Sequence, residues 1–97
     1  MLQADFGIAV HPGEILQEML EEVELTPTQL ARHLRTDKTR ITEICRRRRG
    51  VSVATAVLLG RAFGMSPRVW LNLQQSWELS QLGTDVGRNI RSVCKTA

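Results

Sequence analysis

Residues 26–49 read TPTQLARHLRTDKTRITEICRRRR, and their pattern decides the fold. Thr26 is a strong helix N-cap, Pro27 suits the first helical position, and Gln29 stands where a capping box wants Glu or Gln. Leu30, Ala31 and Leu34 recur at helical spacing, which predicts a short helix with one apolar face. Arg35 and Thr36 separate it from a second helix, for which Asp37 offers the N-cap. From Lys38 to about Cys45 that second helix turns Ile41, Ile44 and Cys45 inward. Lys38, Thr39, Arg40, Thr42 and Glu43 then face outward, and Arg46 to Arg49 close the segment. Two capped helices joined by a tight turn, the second polar outside and followed by arginines, form the pattern of a helix-turn-helix that binds double-stranded DNA.

The charge distribution agrees with that reading. Residues 32–49 carry eight Lys/Arg against Asp37 and Glu43, a net +6, whereas residues 1–31 carry six acids and no Lys or Arg. The overall charge of +3 therefore hides a polarised chain. A concentrated basic patch suits a polyanion, because each phosphate it neutralises releases condensed counterions. A charge run taken alone is more often a solvated face; here it directly follows a capped helix pair.

Working outward, the apolar and capping pattern predicts helices on both sides and no strands. His11 and Pro12 open a helix on which Ile15, Leu16, Met19, Leu20 and Val23 form an apolar stripe, with Glu14, Glu18, Glu21 and Glu22 opposite. Gly50 breaks the chain, and Ser52 caps a helix that is apolar nearly all round from Val53 to Phe63, which predicts a central, buried position. Gly64 suits its left-handed C-cap, and Ser66-Pro67 starts another helix with Val69, Trp70, Leu71, Leu73 and Trp77 on one side. Beyond Gly83, Thr84 or Asp85 caps a last short helix carrying Val86, Ile90 and Val93, a thin stripe that needs something to dock on. The expected organisation is an N-terminal arm (1–10), a DNA-binding domain (11–82) and a C-terminal extension (83–97).

At 97 residues the chain is one domain with a modest core. No apolar run approaches the roughly 18–20 residues of a membrane span, and the N-terminus lacks the basic region of a signal peptide, so cytoplasmic residence is expected. Cys45 and Cys94 match no metal-ligand spacing, and neither histidine, His11 or His33, has a partner at such spacing. Cys45 reads as a small core residue and Cys94 as a free thiol. No catalytic constellation, phosphate-cradling glycine loop, metal set or cofactor site is evident, which argues against an enzyme.

The whole order resembles the HigA family of antitoxins, a branch of the Xre-type, phage-repressor-like helix-turn-helix proteins. The resemblance rests on His11-Pro12-Gly13-Glu14-Ile15-Leu16, the helix-turn-helix through Arg49-Gly50, Thr55-Ala56, Arg61-Ala62-Phe63-Gly64, Ser66-Pro67 and Trp70-Leu71-Asn72-Leu73-Gln74, over residues 10–82. It implies an all-α, five-helix domain, a homodimer, repression of the protein's own operon and neutralisation of a HigB-type messenger-RNA endonuclease toxin. An Xre-type repressor without a toxin partner would carry the same helix-turn-helix. Three departures stand out against the family pattern. Arg35 occupies a turn position where relatives commonly have Gly, and Pro27 stands where phage-repressor relatives use a Gln on DNA, so that contact is either lost or passed to Thr26 or Thr28. Arg46-Arg47 stands where many relatives have an Asn-Gly turn.

These readings assign candidate roles. Lys38 and Thr39, in the first turn of the recognition helix, lie where base edges are reached, and Glu43 one turn on can accept from cytosine N4. Thr28, Arg40, Arg46, Arg47 and Arg48 are placed for phosphates, with Thr42 on the same outward face. Trp77, Leu82, Val86 and Ile90 are the candidate dimer interface. Glu14, Glu18, Glu21 and Glu22 are candidates for facing a basic toxin at the end of the domain opposite the DNA, with Leu2, Phe6 and Ile8 of the arm adding apolar contact.

Overall fold

The computed structural model describes residues 9–94. It contains α1 (Pro12–Glu22), α2 (Pro27–Leu34), α3 (Lys38–Cys45), α4 (Val53–Phe63) and α5 (Pro67–Gln81). The five helices follow the expected order, and each start has its local cause. Thr26 Oγ1 accepts from Gln29 N while Gln29 Oε1 accepts from Thr26 N, a complete capping box. Asp37 caps α3, Ser52 caps α4 and Ser66 caps α5, each by a side-chain oxygen accepting a first-turn amide.

α2 packs chiefly on α3 and α4 on α5, while α1 crosses both α3 and α5. Between them Leu16, Leu20, Leu30, Ala31, Ile41, Ile44, Val51, Ala56, Leu59 and Trp70 form one buried core. Burying each of its Leu or Ile side chains contributes about 1.5–3 kcal/mol. Gly13 sets the closest approach, since a Cβ there would collide with the Ile44 carbonyl oxygen at the end of α3. The backbone of α1 therefore lies directly on the helix that carries the outward polar face.

Three expectations are corrected by the structure. α4 is not buried all round: Thr55, Ala56, Leu59 and Gly60 face inward, but Val53 is 66% and Val57 39% exposed. Five helices leave no neighbour on that side. The last short helix does not form either. Residues 83–90 make successive turns closed by Val86 N→Gly83 O, Arg88 N→Asp85 O and Ile90 N→Gly87 O, and 91–94 have no regular structure. Gly87 is left-handed (φ 79°), and Val86, Ile90 and Val93 find nothing to pack against. So short a helix does not sustain itself in water without burial. Val23, expected on the stripe of α1, is the exposed residue just past its end. The arm residues Leu2, Phe6 and Ile8 lie outside the described residues.

α1 begins on an unusual cap. His11 Nδ1 accepts the Gly13 amide at 2.9 Å, with the residue buried and its ring edge-on to Trp77 at 4.7 Å. A ring nitrogen that accepts carries no proton, so this cap needs neutral histidine. Burial, and next the Arg47 charge, hold the His11 pKa below its ordinary value, against an opposing pull from Glu14. The unfolded chain therefore binds this proton more readily than the folded one. Its contribution to stability is intact above the unfolded pKa of about 6.5 and is lost as the pH falls from there through the lower folded value. In urea titrations the midpoint should fall between pH 7 and 5 in the wild type. His11→Asn, which keeps a capping oxygen but cannot titrate, should lose that part of the dependence; equal slopes for the two would exclude it.

Candidate nucleic-acid interface

The candidate face is built by the two ends of α3. At its start Asp37 Oδ1 accepts from Thr39 N at 2.9 Å, which orients the first turn and leaves Lys38 and Thr39 exposed. At its end Arg46 is the C-cap and Arg47 follows in the left-handed conformation (φ 62°). Arg48 N donates to Glu43 O at 2.8 Å and Arg47 N to Ile44 O at 2.9 Å, the paired bonds of a Schellman turn. That turn reverses the chain and displays Arg46, Arg47 and Arg48, all exposed, on one corner. The turn between α2 and α3 repeats the device: Arg35 is left-handed (φ 59°), with Thr36 N donating to Ala31 O and Arg35 N to Arg32 O. Both left-handed positions hold Arg where Gly costs least.

Thr28 is exposed near the start of α2. With Thr42, Arg46, Gln17, Pro27 and Cys45 it lines a cleft of about 260 Å3 between α1, α2 and α3. The structure thus brings together Thr28, Thr42 and Arg46 from two helices, and places Lys38 and Thr39 at the other end of α3. Cys45 is half-buried there, and burial pushes its thiol up to about 11, so at neutral pH it remains a protonated small apolar group. Cys94 is a free, exposed thiol.

Three candidate residues sit differently from the outward placement that spacing suggests. Arg40 folds back toward α4, Nη1 standing 3.4 Å from Thr55 Oγ1 with its Nε buried. Glu43 does not stand free, because Arg49 holds one of its oxygens with both Nε (2.9 Å) and Nη2 (2.8 Å). Glu14 pairs with Arg47 at 3.2 Å, so it lies beside the basic corner rather than at the opposite end of the domain. Glu18, Glu21 and Glu22 are exposed along α1. Trp77 is half-buried against His11 of its own chain, whereas Leu82, Val86 and Ile90 are exposed.

Sequence reasoning missed Arg49 and Gln74. Arg49 lies six residues beyond Glu43, which is no neighbour on a helix; only the Schellman turn brings it back. Gln74 is a buried polar residue one turn past Trp70, and its Oε1 accepts the Val51 amide at 2.8 Å while its Nε2 reaches Glu78. It ties the segment just after the arginines to α5. A polar residue on an otherwise apolar stripe was the available signal.

No protein-family model matches the chain. Virulence-associated protein I of Dichelobacter nodosus is 41% identical over 78 residues, 79% of this chain and 72% of that protein. The Pseudomonas aeruginosa antitoxin HigA, solved with the higBA promoter, superposes with a TM-score of 0.82 at 35% identity, covering 90% of this chain and all of that one. The chain belongs to the HigA family of antitoxins, Xre-type helix-turn-helix proteins. A HigA-family addiction-module antidote protein from Coxiella burnetii is 39% identical with a TM-score of 0.72, over 73% of this chain and 78% of that one. Among the described residues of this HigA-family chain, no helix is long and apolar enough to cross a membrane, and no group of three or more His, Cys, Asp or Glu could hold a metal ion.

Arg47 has a separable local effect and surface effect. Its left-handed backbone costs more than glycine's, and its exposed pair with Glu14 returns at most about 1 kcal/mol. Arg47→Gly should therefore be neutral to stabilising by about 1 kcal/mol, raising Tm by up to about 4–8 °C. The same variant should bind duplex DNA more weakly at every sequence, with the slope of log K against log salt reduced by about one. Calorimetry and a salt series check the two halves independently.

Proposed function

We propose that this chain is the antitoxin of a type II toxin–antitoxin pair, which binds operator DNA as a dimer and represses its own operon. The observation that carries the reading is the exposed basic end of α3, on a chain of which 90% matches a HigA solved with its promoter. In this reading Lys38 and Thr39 reach base edges in the major groove, with Lys38 donating to guanine and Glu43 accepting from cytosine N4. Thr28, Thr42, Arg46, Arg47 and Arg48 hold phosphates on either side, which sets register without reading sequence. Arg40 joins them by swinging out from Thr55.

One α3 spans only a few base pairs. Two of them about 34 Å apart meet successive major grooves, so the binding unit is a two-fold dimer on a pseudo-palindromic site. The exposed apolar residues Leu82, Val86 and Ile90 supply its interface, with the half-buried Trp77 contributing from behind. Titrating a duplex from the promoter of its own gene should give two chains per site. Lys38→Ala should cost about 1–3 kcal/mol at one base-pair position and relax the preference there. A uniform loss over all base-pair variants would make Lys38 a phosphate contact, and one chain per site would remove the dimer.

Neutralisation of a HigB-type toxin is the second half of the proposal. A toxin that cleaves messenger RNA presents a basic surface to its substrate, and Glu18, Glu21 and Glu22 offer an exposed acidic face on α1. Glu14 adds to it when Arg47 turns to DNA. Surface charge mainly accelerates encounter, and the effect is screened by salt. Reversal of Glu18, Glu21 and Glu22 to Lys should slow toxin association at low salt far more than at high salt. Unchanged association at low salt would exclude this face.

A further inference from the structure

The pair between Glu43 and Arg49 has a consequence for sequence reading that rests on the DNA-binding proposal above. Glu43 projects from α3 amid arginines, and a free carboxylate there faces two obstacles on DNA. The phosphates repel its charge, and its three side-chain torsions must be ordered before it can accept a hydrogen bond from a base. Arg49 removes both. Its Nε and Nη2 lie 2.9 and 2.8 Å from the same oxygen, Oε1, so the guanidinium fixes the carboxylate and neutralises it while Oε2 takes no part in the pair.

Nothing in the linear order prepares this contact. It exists because Arg47 is left-handed and because Arg48 N and Arg47 N close the Schellman turn on Glu43 O and Ile44 O, which folds Arg49 back alongside α3. A surface ion pair of this exposure adds little to stability. Its effect is on where the carboxylate is held.

We propose that Arg49 is a positioning residue for operator recognition: it presents Glu43 Oε2 as a fixed, neutralised acceptor for an exocyclic amino group, that of cytosine or adenine, in the major groove. Arg49 is thereby distinct from Arg46, Arg47 and Arg48, to which the DNA-binding proposal gives phosphates. The strained turn then has a use beyond ending the helix, since it delivers the clamp.

The test titrates a duplex spanning the promoter of the protein's own gene, and its single-base-pair variants, over a range of salt. The proteins are the wild type, Arg49→Ala, Arg49→Lys, Glu43→Ala and the double variant Glu43→Ala/Arg49→Ala. Discrimination at one base pair, about tenfold or more in the wild type, should fall to within about threefold in both Arg49→Ala and Glu43→Ala, at the same position. The double variant should lose no more than either single one. Arg49→Lys should retain part of the discrimination, and the salt slope of Arg49→Ala should stay at the wild-type value. A uniform loss across all duplexes with the slope lowered by about one, or losses that simply add in the double variant, would overturn the proposal and make Arg49 another phosphate contact. If Arg49→Ala fails to fold, Arg49→Lys and Glu43→Ala still decide, because loss of discrimination at different positions refutes the pairing. A wild type that binds all duplexes equally would instead defeat the DNA-reading proposal, and this one with it.

Discussion

The Ile44 carbonyl oxygen, near the end of α3, lies against the backbone of Gly13, and no side chain fits between them. The arrangement of the candidate face follows from that contact. It seats the start of α1 on the end of the recognition helix, so His11 caps α1 within the field of Arg47 and Glu14 reaches the same arginine. Ile44 O also accepts the Arg47 amide, so one carbonyl serves both the packing of α1 and the turn that spreads the arginines. Close packing makes the two inseparable: a displaced α1 would move the turn with it.

Charge is then distributed by the fold rather than by the order of residues. In the chain six acids precede the first base, and the remaining four are scattered among the thirteen bases. In the folded domain two of the arginines after α3 have an acidic counterpart: Glu14 for Arg47, and Glu43 for Arg49. The exposed Glu14–Arg47 pair is exchangeable, because water and salt weaken it and a phosphate competes well for the same guanidinium. Arg47 held in that pair is still available to an anion. Left-handed Arg35 and Arg47 point the same way. Glycine would fit those turns at lower backbone cost, and Gly64 occupies the equivalent place after α4. The chain tolerates that strain at both arginines, and again at Glu24 after α1.

The C-terminal region shows the opposite balance. Leu79, Leu82, Val86, Ile90 and Val93 are exposed, and the sequence after Gly83 makes turns instead of the helix its stripe suggests. Helix formation in so short a segment depends on burial, and the described residues provide no surface for it.

What the sequence determined by itself was everything governed by neighbours a few residues apart. Thr26 with Gln29, Asp37, Ser52 and Ser66 specify where helices start, and Pro27 and Pro67 fit the positions just after. The stripes of Leu16 and Leu20, Leu30 and Ala31, and Ile41 and Ile44 show which faces are buried, because 3.6 residues per turn is a local period. The outward placement of Lys38 and Thr39 follows from the same geometry. Only the tertiary structure decided which long side chains turn back. Arg40 toward Thr55, Glu43 under Arg49, Glu14 on Arg47 and His11 edge-on to Trp77 each join residues whose separation matches no helical period. The exposed side of α4 and the unformed last helix were equally out of reach, because an apolar residue is buried only where another element covers it. Spacing reports which residues share a face; it carries no information about how many helices arrive to meet that face.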